Sequence, residues 1–385
     1  NWMINNMMKK KDLELYIHIP FCIRKCKYCD FLSGPSGEKE RQEYVESLCR
    51  KIHSYGELAE AYRVVSIFVG GGTPSILTEE QILKIFAALR EVFEIEADAE
   101  ITLEMNPGTV TEEKLKAYKQ CGINRLSMGL QSTDNKELKA LGRIHTYESF
   151  LESYLLARAA GFQNINVDLM SAIPYQTRES YQRTLRRIAE LVPPPEHISA
   201  YSLIIEEGTP FYERYGEGEH AEELPGEEEE RQMYQDTIEI LKTYGYHRYE
   251  ISNYAKEGYE CRHNIGYWNR TEYLGIGTGA ASLIENRRFT APDLLKKADG
   301  SEEEDIEILT VENQMEEMMF LGLRMMKGVS VSGFEKTFGR TMKSVYGDVI
   351  ERLKMEQLIV EDGDDIRLTK HGIDISNYVM SEFLL

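Results

Sequence analysis

Three cysteines, Cys22, Cys26 and Cys29, fall within eight residues, with the spacing C-x3-C-x2-C. Thiolates are soft ligands, and three on one short loop can hold three irons of a [4Fe–4S] cluster while the fourth iron has no protein ligand. An open iron of that kind takes a bidentate chelator, such as the amino and carboxylate groups of a methionine moiety. The competing reading is a zinc site, which needs a fourth ligand at comparable range; His18 is the nearest in sequence. The remaining cysteines are scattered. Cys49 and Cys121 read as packing residues on helix faces, and Cys261 stands two residues before His263 as a rival thiolate ligand or a buried, inert thiol. A disulfide framework would crowd its cysteines into a short secreted chain, so the even total of six carries little weight.

The elements that must position this loop are legible as an alternation. Short apolar, β-branched runs lie at 13–19, 64–69, 100–104, 124–128, 164–169 and 197–203, and helix-spaced segments at 43–53, 79–93, 113–119, 150–160 and 180–191. Turn signals such as Thr78, Gly122 and Gly161 separate them. Regular β-α-β order predicts a parallel sheet with right-handed crossovers. Six units are fewer than the eight of a complete barrel, so the expected fold is α/β, a partial (βα)6 barrel whose lateral cleft admits a large substrate. The chain divides into a core over 1–205, an extension over 206–305 and a C-terminal α+β module over 306–385. In the extension a helix is expected over 229–244 and a strand over 244–254; in the module, three helices and a hairpin suggest a winged helix.

In a parallel barrel the functional groups gather at the carboxyl ends of the strands. Gly70-Gly71-Gly72-Thr73-Pro74 follows the second strand, Glu104 closes the third, Gln131 follows the fourth, Arg143 lies twelve residues on, and Asp168 sits near the end of the fifth. Three glycines permit close backbone approach and positive φ. Any one of these residues fits a surface or capping role; their joint placement on one rim points to a ligand.

Taken together, Tyr16-Ile17-His18-Ile19-Pro20-Phe21-Cys22, the cysteine triple with Tyr28 inside it, and the Gly70–Pro74 run resemble the radical S-adenosylmethionine (SAM) superfamily. Within it, the sequence is similar over nearly its whole length to the group containing oxygen-independent coproporphyrinogen III oxidase and the heme chaperone HemW. The resemblance implies a cluster on Cys22, Cys26 and Cys29, and SAM bound by Tyr16, Tyr28, Gly72, Thr73, Glu104, Gln131, Arg143 and Asp168. It further implies one-electron cleavage of the sulfonium to methionine and a 5′-deoxyadenosyl radical.

Two departures separate the branches of that group. The oxidase motif continues with a fourth cysteine two places after the third, where this chain has Phe31, and the oxidase carries a longer arm before its cluster loop. The segment His263-Asn264-Ile265-Gly266-Tyr267-Trp268 matches the H-N-x-x-Y-W motif of the chaperone branch, which implies His263 as a heme ligand, although a turn-capping His-Asn pair with core aromatics has the same pattern. The expected function is a heme chaperone that carries heme to acceptor hemoproteins. The alternative is SAM-dependent oxidative decarboxylation of coproporphyrinogen III, so enzymatic activity stays open. His145, His197 and His247 read as structural.

Composition sets the outer bounds. With 45 Lys+Arg against 65 Asp+Glu the formal net charge is −20, which disfavours nucleic acid and anionic lipid as partners. The hairpin expected in the C-terminal module is itself acidic, with Glu361, Asp362, Asp364 and Asp365. No apolar run reaches the ~18 residues of a membrane-spanning helix, and residues 1–11 lack the apolar stretch of a signal peptide. A cytoplasmic protein is expected.

Overall fold

The computed structural model of the chain describes residues 10–296 and 304–385. The signal-peptide reading therefore concerns residues almost entirely outside it. Six strands run parallel and pair in chain order: β1 (Lys11–Ile19), β2 (Tyr62–Gly71), β3 (Ile95–Met105), β4 (Arg125–Gln131), β5 (Ile165–Ser171) and β6 (His197–Ser202). Helices α1 (Glu38–His53), α2 (Glu79–Val92), α3 (Glu112–Gln120), α4 (Tyr147–Ala159) and α5 (Arg178–Ala189) fill the crossovers. Four of them open on a threonine whose side chain accepts a backbone N–H: Thr78, Thr111, Thr146 and Thr177. In α2, α4 and α5 the bond is returned by the third helical residue, which satisfies donors no helix can satisfy internally. Gly122 and Gly161, both at positive φ, end α3 and α4 where a side chain would be strained.

One face of each strand supplies the core against these helices. Leu15, Ile17, Ile67, Val69, Leu103, Leu126, Met128, Val167 and Leu169 are fully buried there. The opposite face is polar and aromatic, and the register places its residues in adjoining rows: Tyr16 beside Phe68, Phe68 beside Thr102, Thr102 beside Arg125, Glu104 beside Ser127, and Asp168 beside Ser199.

The extension does not stand apart from this sheet. After α6 (Glu227–Thr243), β7 (Asn253–Ala255) adds antiparallel to β6 at one edge. After α7 (Arg262–Trp268), β8 (Tyr273–Ile276) adds parallel to β1 at the other, and β9 (Ala281–Ile284), β10 (Arg287–Thr290) and β11 (Glu304–Ile308) follow antiparallel. Met233, Leu241, Tyr254, Leu274 and Phe289 join the same apolar core as the six βα units, so packing shows no boundary at residue 205. The strand expected over 244–254 is broken: His247–Arg248 and β7 pair with each other, while Glu250 leaves that ladder to bridge Met325.

The C-terminal module has a core of its own, built on Met315, Met319, Phe334, Tyr346 and Leu353. It comprises α8 (Val311–Gly322), β12 (Val329–Ser330), α9 (Val331–Phe338), α10 (Met342–Met355) and the hairpin β13 (Ile359–Asp362) and β14 (Asp365–Leu368), then two short helices. Buried Glu317 ties it to the extension by accepting from Arg270 and Arg288 at 2.9 and 2.7 Å. No helix of the described residues is long and apolar enough to cross a membrane.

Candidate functional site

The cysteine loop leaves β1 at its carboxyl end and is pinned along its length. Thr73 N–H donates to Phe21 O at 2.7 Å, Lys27 N–H to Leu141 O at 3.0 Å, and Phe211 N–H to Lys27 O at 3.0 Å. All three cysteines are free thiols, partly exposed, and they line one cavity of about 380 Å³ at the strand ends. The same cavity is lined by Tyr28, Gly72, Glu104, Gln131, Arg143 and Asp168, so six residues expected at the SAM site meet the cysteines there.

Arg143 links the two groups. Its Nη1 donates to Cys26 Sγ at 3.5 Å; Nη2 donates to Asn106 Oδ1 at 3.0 Å and to the Gly129 carbonyl. Its Nε is buried without a partner. Glu104 is half-buried on the cavity wall: burial and the neighbouring Asp168 push its pKa up to about 8, against the Gly71 N–H and Arg125. Burial likewise raises Asp168, against a hydrogen bond from Asn166. Gln131 adopts φ 77°, a left-handed conformation rare without glycine, and accepts from Tyr201 Oη at 3.0 Å. Of the three glycines only Gly71 has positive φ, at 110°, where a Cβ would strike the His18 ring at 2.5 Å.

Two expected SAM residues stand one layer back. Thr73 donates to Cys22 Sγ at 3.5 Å and accepts from Asn106 at 2.8 Å, and Tyr16 packs on Phe68, a wall of the cavity, with ring centroids 6.3 Å apart. His18 does not offer the zinc site its fourth ligand: Nδ1 is bonded to Tyr16 Oη at 3.0 Å and Nε2 to Leu32 O at 2.9 Å. Among the described residues no three His, Cys, Asp or Glu side chains are arranged to hold one metal ion.

His263 lies outside the cavity. It is 1% exposed at the start of α7, with Nδ1 bonded to Ser66 Oγ at 2.8 Å and Nε2 facing Tyr267 Oη at 3.3 Å. Its ring stacks on Phe68 at 5.2 Å, and its backbone N–H and that of Arg262 donate to Glu100. Both ring nitrogens thus have a hydrogen-bond partner within the chain. Cys261 is also buried, its thiol pushed up to about 12 by burial, and donates to Glu100. His145 and His197 are buried and hydrogen-bonded within the chain, and His247 pairs with Glu260 on the surface.

Sequence reasoning passed over Asn106, Arg125 and Tyr201. Asn106 bridges Thr73 and Arg143. Arg125, 2% exposed, is a charged residue inside an apolar strand run, and that anomaly was the available signal.

A cysteine loop on the first strand of a partial parallel barrel, facing polar groups at the other strand ends, defines a radical SAM protein. The family model described as Radical SAM superfamily matches residues 16–188, and one described as HemN C-terminal domain matches 309–375. The superfamily implies a [4Fe–4S] cluster and SAM. Proteins named heme chaperone HemW are similar along the chain: that of Lactococcus lactis subsp. lactis (strain IL1403) is 36% identical, covering 98% of this chain and 99% of its own. That of Bacillus subtilis (strain 168) is 36% identical, covering 96% and 98%. The chain belongs to the HemW family of the radical SAM superfamily. The solved structure of coproporphyrinogen III oxidase (HemN) from Escherichia coli superposes with a TM-score of 0.85 at 24% identity, over 97% of this chain and 90% of that one, a likeness of fold.

Proposed function

We propose that the chain is a heme chaperone on a radical SAM core, binding heme and passing it to acceptor hemoproteins. Cys22, Cys26 and Cys29 hold a [4Fe–4S] cluster whose fourth iron is left open to SAM. The observation that carries this reading is the meeting of the cysteine loop and the strand-end polar set around one cavity, in a chain similar over its whole length to proteins named HemW.

The residues present fit these groups. The partnerless Nε of Arg143 leaves a guanidinium edge for the methionine carboxylate of SAM. Gly72 lets backbone line the cavity where a Cβ would lie 2.6 Å from the Phe21 carbonyl oxygen. Glu104 and Asp168 accept from amine and hydroxyl donors, and Gln131, braced by Tyr201, orients its amide. Tyr28 forms a wall against Phe211. Tyr16 and Thr73 support this set from behind. When bound, the cluster supplies one electron to the sulfonium; the chain's own residues hold, orient and desolvate the ligand.

Phe31 favours chaperone over oxidase: it is 63% exposed at the cavity's rim and supplies no sulfur where the oxidase motif has its fourth cysteine. The test reconstitutes the cluster anaerobically and assays one preparation for hemin uptake and for coproporphyrinogen turnover. Stoichiometric uptake without turnover is expected; repeated turnover to protoporphyrinogen overturns the chaperone reading.

A further inference from the structure

Where the C-terminal module meets α7, a groove of about 380 Å³ is walled by Trp268, Phe320, Leu321, Arg324, Met380 and Leu384. It is well away in sequence from the cysteine loop, and none of its lining residues is acidic. Two donors there are buried and unpaired, Trp268 Nε1 and Arg324 Nε. The Arg324 guanidinium lies over the Trp268 ring, 4.4 Å from its centroid. A buried donor without an acceptor is costly, and its persistence calls for an explanation such as an absent ligand. Buried Glu250 attracts Arg324 without hydrogen bonding to it, so the guanidinium keeps its donors.

The groove thus offers a wall of aromatic and aliphatic side chains with one cation at its base, in a chain whose net charge is −20. That pattern complements a flat apolar molecule carrying a carboxylate. Resting on the chaperone reading, we infer that heme docks here, its edge between Trp268, Phe320 and Leu384 and one propionate on Arg324. The cavity at the cysteines is committed to cluster and SAM in that reading, and His263 is buried, so neither competes for the macrocycle. The volume lies at the low end of the ~300–1,000 Å³ of ligand pockets. Much of the macrocycle stays outside, as suits a carrier that hands its cargo on.

The experiment titrates the full chain, with its cluster reconstituted, against hemin and against hemin dimethyl ester, which lacks free carboxylates. Arg324→Gln is expected to weaken hemin binding about tenfold and to leave ester binding unchanged. Leu384→Glu, at a side chain 59% exposed and so without cost to the fold, is expected to weaken both. Unchanged hemin binding in both variants overturns the groove and leaves the chaperone reading standing. Equal losses of hemin and ester in Arg324→Gln overturn the propionate contact. If Arg324→Gln does not fold, Leu384→Glu decides alone. An unaltered chain that takes up no hemin removes the chaperone reading itself.

Discussion

The guanidinium of Arg143 spans the gap between the cysteine loop and the end of β4, donating from Nη1 to Cys26 Sγ at 3.5 Å and from Nη2 to the Gly129 carbonyl. Arg143 thus ties the loop to the barrel rim, alongside the Thr73 hydroxyl on Cys22. Arg143→Lys keeps the charge but cannot reach both partners and a carboxylate at once. We expect SAM affinity to fall by about ten- to a hundredfold, measured by equilibrium binding to the reconstituted protein. Unchanged affinity would remove Arg143 from the SAM site.

The six cysteines should separate into two classes. Serine at Cys22, Cys26 or Cys29 is expected to abolish the iron content and the visible absorbance of the reconstituted protein while far-ultraviolet circular dichroism stays unchanged. Alanine at Cys121, which is buried in the apolar core, should keep full iron and cost ~1 kcal/mol of stability through lost packing. A Cys22→Ser protein with undiminished iron would refute the cluster assignment.

His263 should behave as a structural residue. Burial, with Arg125 adding to it, pushes its pKa down to about 3. A neutral buried imidazole stabilises the fold above its unfolded value of 6.5, and this contribution is lost as pH falls from there toward 3. His263→Gln is expected to destabilise the chain by ~1–3 kcal/mol and to flatten that acid limb in denaturant titrations. Hemin affinity should stay within about twofold; its loss in a folded variant would restore His263 as the ligand.

Glu14 supplies the opposite pH dependence. Its carboxyl is 2% exposed and lies so close over α7 that a Cβ on Gly266 would sit 2.0 Å from Oε1. Burial pushes its pKa up to about 9; the Ser66 hydrogen bond opposes this and Glu100 adds to it. Folding therefore takes up a proton between 4.5 and about 9, and stability from this group falls as pH rises through that window. Glu14→Gln should remove a slope of up to ~1.4 kcal/mol per pH unit in urea unfolding. Gly266→Ala should destabilise by ~1–3 kcal/mol and be partly rescued by Glu14→Ser, and the absence of rescue would mean that the clash lies elsewhere.

The barrel was legible because five helix-spaced segments, four of them opening on a threonine, alternate with six short apolar runs; the strand cores sit where that pattern put them. The rim was legible because polar residues at strand ends break an apolar rhythm. Depth was not. Nothing in the spacing of Tyr16 and His263 distinguishes a residue on the cavity wall from one a layer behind it, since that depends on Phe68, the ring on which both pack. Nor did the break at Tyr249–Ser252 show: Tyr244–Tyr254 is rich in strand-forming aromatics, and the tertiary bridge from Glu250 to Met325 overrides that propensity.

The extension reaches both edges of the open sheet, β7 on β6 and β8 on β1, and between them α7 crosses the barrel's polar face, held there by Glu100 and Ser66. A barrel short of two units has a seam along which it could yawn. Here a single stretch of about twenty residues is stitched to either lip of that seam and buttoned midway to its lining. The aperture is thus set by the tension of one strap: loosening its central fastening slackens both lips together, and amide exchange along β1 and β6 should rise in step.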